Sequence, residues 1–91
     1  MDFEWNIQKA DSNAKKHNIS FEEASTVFGD GLSMTFPDPE YSVQEDRFLM
    51  IGLSDTYKVL VVSHTYREEN IRIISAREAT LRERKFYEHG K

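Results

Sequence analysis

The apolar residues of this chain change period once, and the change divides it into a helical beginning and a strand-rich remainder. Ile7, Ala10, Ala14 and His17 share one side of a first helical segment, and Phe21, Ala24, Val27 and Phe28 one side of a second. Gly29-Asp30-Gly31 closes the second segment, after which Leu32, Met34 and Phe36 alternate as strand residues do.

Cap and turn residues set the boundaries. Phe3 to Trp5 reads as a short strand, Asn6 as the N-cap of a helix reaching about Lys16, and Asn18 as its left-handed stop. Ser20-Phe21-Glu22-Glu23 is a capping box with Ile19 as the preceding staple residue. Pro37-Asp38-Pro39 ends the first of the later strands. Residues 37–46 form an acidic loop that delivers Glu45 and Arg47 to the mouth of the next strand. Residues 48–53 and 59–62 are apolar on both faces, as buried strands are. Turns at residues 55–58 and 67–70 lead into residues 71–74 and predict a three-stranded antiparallel meander. Ser75-Ala76-Arg77-Glu78 is a further capping-box pattern, which starts the last helix there and runs it to about His89, before Gly90. The order reads β-α-α-β-β-β-β-α, an α+β fold.

Ninety-one residues suffice for a single domain, 1–91, with one modest core. The lack of cysteine removes a disulfide scaffold and any thiolate metal site, and three scattered histidines argue against zinc. The acidic start Met1-Asp2-Phe3-Glu4-Trp5 lacks the pattern of a signal peptide, and no apolar run is long enough to span a bilayer, which places the chain in the cytoplasm. A net charge of −4 is unlike that of most proteins that hold nucleic acid over their whole surface. The charge is uneven, however: residues 38–46 are acidic, whereas Lys15-Lys16-His17 and residues 72–85 carry most of the cations.

Two arginines, Arg72 and Arg77, stand where an apolar strand hands over to the last helix, with Arg77 expected in the first helical turn. An anion suits such a place, phosphate or a partner's carboxylate, although both side chains could equally pair with local glutamates such as Glu78. His64 and Tyr66 lie two apart on one strand and so point to one face. Whether Arg72 joins them depends on register across the turn at residues 67–70, because a slip of one residue reverses its side. If they converge, a histidine that moves a proton and an arginine that stabilises a phosphorane make a minimal site for RNA cleavage. The 2′-hydroxyl is then the nucleophile, and neither metal nor other cofactor is required. Glu45, Tyr87 and the Lys16-His17 pair are further proton-transfer or phosphate candidates. Asp38, Glu40, Glu45 and Asp46 lack the spacing of a calcium loop and read as solvated charge.

Taken in order, these residues resemble the BrnT family of bacterial toxins. The resemblance is carried by Phe3-Glu4-Trp5, Lys9-Ala10, Asn13, Lys16-His17, Ser20-Phe21-Glu22-Glu23-Ala24 and Val27-Phe28 with Asp30. It continues through Glu45-Asp46-Arg47, Ile51-Gly52, Leu60-Val61-Val62 and Ile71-Arg72-Ile73-Ile74-Ser75-Ala76-Arg77, with Glu83 and Tyr87. It spans roughly residues 3 to 88. The one departure is Asn18, where the family commonly has glycine; asparagine tolerates the same backbone.

The resemblance implies a RelE-like fold, with two N-terminal helices on a curved antiparallel sheet and a C-terminal helix. It also implies a ribonuclease that stops translation until a BrnA-type antitoxin binds it, and contact with DNA only through that antitoxin. Arg72 and Arg77 would contact the scissile phosphate. Glu45, Arg47 and Lys16 would be auxiliary, Glu45 beside the catalytic pair and Arg47, Lys16, His17 and Tyr87 toward the RNA. His64 is assigned as catalytic from its chemistry rather than from the family pattern. The other reading is a non-enzymatic module, or a degenerate toxin, whose arginines receive only a protein carboxylate. The exposed apolar edge from Leu32 to Phe36 would pair with an antitoxin strand or with another copy of the chain.

Overall fold

The computed structural model describes residues 2–41 and 45–90. Its order is the one predicted. Strand β1 (Phe3–Glu4) leads to helices α1 (Ile7–His17) and α2 (Phe21–Thr26), then strands β2 (Met34–Pro37), β3 (Arg47–Leu53), β4 (Val59–Arg67) and β5 (Asn70–Glu78), and helix α3 (Leu81–His89). The strands form one sheet in the order β1-β5-β4-β3-β2. Strands β2 to β5 are antiparallel neighbours, and β1 joins the far edge parallel to β5, so the sheet is mixed. Of the predicted connection at residues 37–46, positions 42–44 lie outside the described residues.

The caps act as the sequence indicates. The Asn6 side chain accepts from the Lys9 N–H, and Asn18 adopts φ 58° while its own N–H closes on Ala14. Ser20 accepts from the Glu23 N–H, but the Glu23 carboxylate turns away to the hydroxyls of Ser54 and Thr56. That side chain therefore ties α2 to the β3–β4 turn instead of completing its box.

The last helix starts later than expected. Ser75, Ala76, Arg77 and Glu78 remain in β5, opposite Ser63, Val62, Val61 and Leu60 of β4. Thr80-Leu81-Arg82-Glu83 carries the same capping pattern, and there both hydrogen bonds form. Sheet pairing overrode the earlier cap, which places Arg77 in a strand and not in the first turn of a helix.

The sheet buries both faces to different extents. One face receives α1 and α2, and Ile19, Phe21, Ala24 and Val27 pack there on Met50, Leu60, Val62, Ile73 and Ala76. Gly52 lies on this face, where a Cβ would come within 2.7 Å of Val27. The other face is covered only toward one end, where Ala79 and Tyr87 pack on Ile51 and Val61, with Leu49, Leu53 and Val59 alongside. The rest of that second face carries polar residues.

Candidate functional site

One irregularity decides which side chains share the open face. Ser63 pairs with Ser75, but the next residue, His64, pairs with Ile73, so Ile74 is an extra residue in β5. In a regular strand, residues 72 and 77 are an odd number apart and project to opposite faces. The bulge restores them to one face. Arg72 sits opposite Thr65 and Arg77 opposite Val61, and those two are four apart on β4.

The face builds up in rows across three strands. Arg47, Thr65 and Arg72 form the first, Leu49, Ser63 and Ser75 the second, and Ile51, Val61 and Arg77 the third. A depression of about 410 Å³ opens over the middle row, lined by Arg47 and Arg77 together with Asp38, Leu49, Ser63, Ile74 and Ser75. Two guanidiniums thus flank a floor of hydroxyl groups, which suits an anion with several oxygens.

Each β5 arginine already has a carboxylate. Arg77 donates from both terminal nitrogens to Glu83, at 2.7 and 3.0 Å, in a parallel two-point pair. That pair holds the Glu83 carboxyl down at about 2, helped by the backbone N–H of Thr80. The same contact raises the Arg77 pKa. Arg72 donates to Glu4 at 2.8 Å, and Asn70 donates to the other oxygen of that carboxylate at 3.2 Å. These bonds lower the Glu4 pKa, the Arg72 bond most. The expectation of local glutamate partners is met by Glu4 and Glu83 rather than Glu78. Glu45 stands 3.9 Å from Arg47 and 4.0 Å from Arg67, at the entry to β3.

His64 does not meet the arginines. It pairs with Phe48 and Ile73, whose side chains lie on the helix-covered face opposite to that of Arg72, and faces the helices. His64 and Tyr66 do share a face, as predicted, but it is the wrong one for Arg72. His64 is 0 % exposed, enclosed by the rings of Phe28, Phe48 and Tyr66. Its Nδ1 lies 3.3 Å from the Val62 carbonyl, while its Nε2 has no partner among the described residues. Burial lowers its pKa, so the ring is held neutral.

Tyr87 is also away from the depression. It lies on the sheet-facing side of α3, where its hydroxyl donates to Asp30 at 2.6 Å, and burial followed by that bond pushes its pKa up to about 12. Lys16 and His17 line a separate groove between α1 and β5 that also includes Ile74 and Ser75. Of the predicted site, then, Arg47, Arg72 and Arg77 share a face, Glu45 borders it, Lys16 and His17 adjoin it across β5, and His64 and Tyr87 are elsewhere.

Ser63 and Ser75, which form the floor, are not among the site residues predicted from sequence. Their signal is a small polar residue set inside an aliphatic run, Val61-Val62-Ser63 and Ile73-Ile74-Ser75.

Among the described residues there is no cluster of histidine, aspartate and glutamate able to hold a metal ion, and no helix long and apolar enough to cross a membrane.

Comparison with known proteins agrees with this architecture. Residues 5–83 match the family model described as the ribonuclease toxin, BrnT, of type II toxin–antitoxin systems. The crystal structure of the Brucella abortus ribonuclease toxin, BrnT, superposes with a TM-score of 0.69 at 23 % identity. The match covers 88 % of this chain and 97 % of that one. At that identity the likeness speaks to the fold. None of the curated proteins compared matches the chain.

Proposed function

The chain belongs to the BrnT family of ribonuclease toxins of type II toxin–antitoxin systems, and on that premise we propose that it is a metal-independent RNA endonuclease acting on the open face of its sheet. The observation that carries the reading is the β5 bulge, which brings Arg72 and Arg77 onto one face with Arg47 above a hydroxyl-lined floor.

A scissile phosphate seated between Arg47 and Arg77 would have both nonbridging oxygens within reach of guanidinium donors. Charge that grows on those oxygens as the 2′-hydroxyl attacks is then met by fixed, always-charged groups. Because the RNA supplies its own nucleophile, no metal-activated water is required. Glu45, at the edge of Arg47, is the proposed acceptor of the 2′-hydroxyl proton. The P–O5′ bond breaks as the new bond forms, leaving a 2′,3′-cyclic phosphate and a 5′-oxygen that takes its proton from water, while Arg72 steers the strand from the end of the face. His64 leaves the catalytic assignment: a proton carrier must reach the reacting oxygen, and this ring is sealed on the opposite side. Tyr87 leaves the RNA contacts for the same geometric reason. Cleavage of cytoplasmic RNA would stop translation, and membership of a type II system implies an antitoxin partner, proposed to be of the BrnA type.

The test is expression of the chain alone, with and without its genetic neighbour, alongside Arg47→Ala and Arg77→Ala. Growth arrest with RNA loss, relieved by the neighbour, is expected for the native sequence. Each variant should cleave RNA about 100-fold more slowly in vitro. Undiminished cleavage by the folded double variant overturns the assignment. The Arg77–Glu83 and Arg72–Glu4 pairs also favour a second reading, since they show that this face accepts carboxylates. A protein that binds the antitoxin but leaves RNA intact would establish it.

A further inference from the structure

Resting on the ribonuclease reading, we propose that the groove between α1 and β5 is a second phosphate subsite for the same substrate, so that one unpaired RNA strand crosses the β5 edge from Arg77 to Lys16.

β1 pairs with β5 only at Ile71 and Arg72, so beyond those residues the outer edge of β5 faces α1 instead of another strand. The groove left there measures about 410 Å³ and is lined from α1 by Lys9, Ser12, Lys16 and His17. Its other wall is Ile74 and Ser75, which also wall the Arg47–Arg77 depression. The two hollows are therefore separated by the bulged stretch of a single strand.

The charge of the groove fits a polyanion. Lys9, Ser12 and Lys16 fall three and four residues apart and share a helix face, whereas Asp11, the acidic residue of α1, is not part of the lining. Among the described residues no ion pair holds Lys9 or Lys16. The α1 dipole accounts for cations in the last turn, Lys16 and His17, but it disfavours Lys9 in the first turn, where no acidic residue is present. Helix stability does not explain that lysine. An anion in the groove does.

The edge itself selects against a peptide strand. The buried Asn13 side chain donates to the Ala76 carbonyl at 2.8 Å and accepts from the Ala76 N–H at 3.0 Å, so both backbone groups of Ala76 are closed to an added strand. What remains for an occupant are side-chain donors on either side of the edge. A duplex cannot bend around one strand, while a flexible single strand can follow such a track by its phosphates.

The experiment measures binding of an unpaired RNA of about a dozen nucleotides, and of the same sequence in a duplex, to the full chain carrying Arg77→Ala to slow cleavage. Lys9→Ala/Lys16→Ala is compared with Lys15→Ala, which lies on α1 outside the groove. Removal of two phosphate contacts should weaken binding of the unpaired strand at least tenfold at moderate salt. It should also flatten the dependence of log K on log salt by about 1.4, whereas Lys15→Ala leaves that slope unchanged. Thermal unfolding confirms that the exposed substitutions fold. Equal affinity and slope in the double variant overturn the subsite while the ribonuclease reading stands. Retained RNA binding with lost neutralisation by the antitoxin also overturns it and assigns the groove to the protein partner. If the parent chain neither binds nor cleaves RNA, the ribonuclease reading itself fails.

Discussion

Glu83→Gln should move stability and RNA affinity in opposite directions. At neutral pH Glu83 neutralises Arg77 through two short bonds and also accepts from the Thr80 N–H that opens α3. Glutamine keeps an oxygen for Thr80 but removes the charge facing Arg77. A carboxyl depressed from 4.5 to about 2 corresponds to about 3 kcal/mol of differential interaction. The Arg77 side chain is 40 % exposed, however, and solvent screening reduces this to about 1 kcal/mol. That is the stability loss expected by urea unfolding at pH 7.

The pH dependence has a definite sign. Because the folded pKa lies below the unfolded one, the contribution is present above about 4.5 and is lost as pH falls toward 2. The difference between the native and Glu83→Gln proteins should therefore shrink over that range. RNA responds oppositely. A phosphate at roughly 6 Å from the Glu83 carboxylate is repelled by about 1 kcal/mol at an effective dielectric between protein surface and water. Its removal should tighten RNA binding by about fivefold, read by fluorescence anisotropy with an unpaired oligonucleotide. Weaker RNA binding by a folded Glu83→Gln protein would refute the picture of Glu83 as a competitor for Arg77.

Two further substitutions test the frame that holds the face. Asn13→Ala removes a buried amide that bonds Ile19 and both backbone groups of Ala76, so a loss of about 3 kcal/mol is expected by chemical denaturation. Tyr87→Phe deletes the bond to Asp30 and should cost about 1 kcal/mol. With its pKa pushed up to about 12, the Tyr87 hydroxyl stabilises the fold below the ordinary value of 10.0. That contribution is lost as pH rises from there through 12, a range that ultraviolet absorbance titration of the native and Tyr87→Phe proteins resolves.

The elements were legible in the sequence where local chemistry and tertiary pairing agree. Asn6, Asn18 and Ser20 cap helices because nothing in the sheet competes for them. Ser75 through Glu78 carries an equally good cap pattern but lies opposite four residues of β4, and ladder pairing outweighs a cap worth about 1 kcal/mol. Register was the larger gap. The run Ile71-Arg72-Ile73-Ile74-Ser75-Ala76-Arg77 breaks its alternation at the doubled isoleucine, and that doubling marks the bulge. Read without it, the two arginines fall on opposite faces. His64 shares the parity of Leu60 and Val62, both core residues, so its burial followed from the β4 pattern once the sheet's inner face was known.

A net charge of −4 looks unsuited to a protein that handles RNA, but the sum conceals where the charges are spent. Two of the carboxylates, Glu4 and Glu83, are held on Arg72 and Arg77. On the proposed reading, substrate phosphate reaches Arg77 by exchange with Glu83, not by capture at an open cation. Exchange makes that contact weaker and more selective, because only an anion that matches the two-point geometry replaces a carboxylate already in place. It also releases few counterions from the RNA at that arginine beyond those the freed carboxylate regains. The salt dependence of binding should therefore report chiefly on Lys9 and Lys16, which have no carboxylate partner among the described residues, while the rate of cleavage reports on the arginine face. An acidic overall charge is compatible with both, provided the two measurements are affected by different residues.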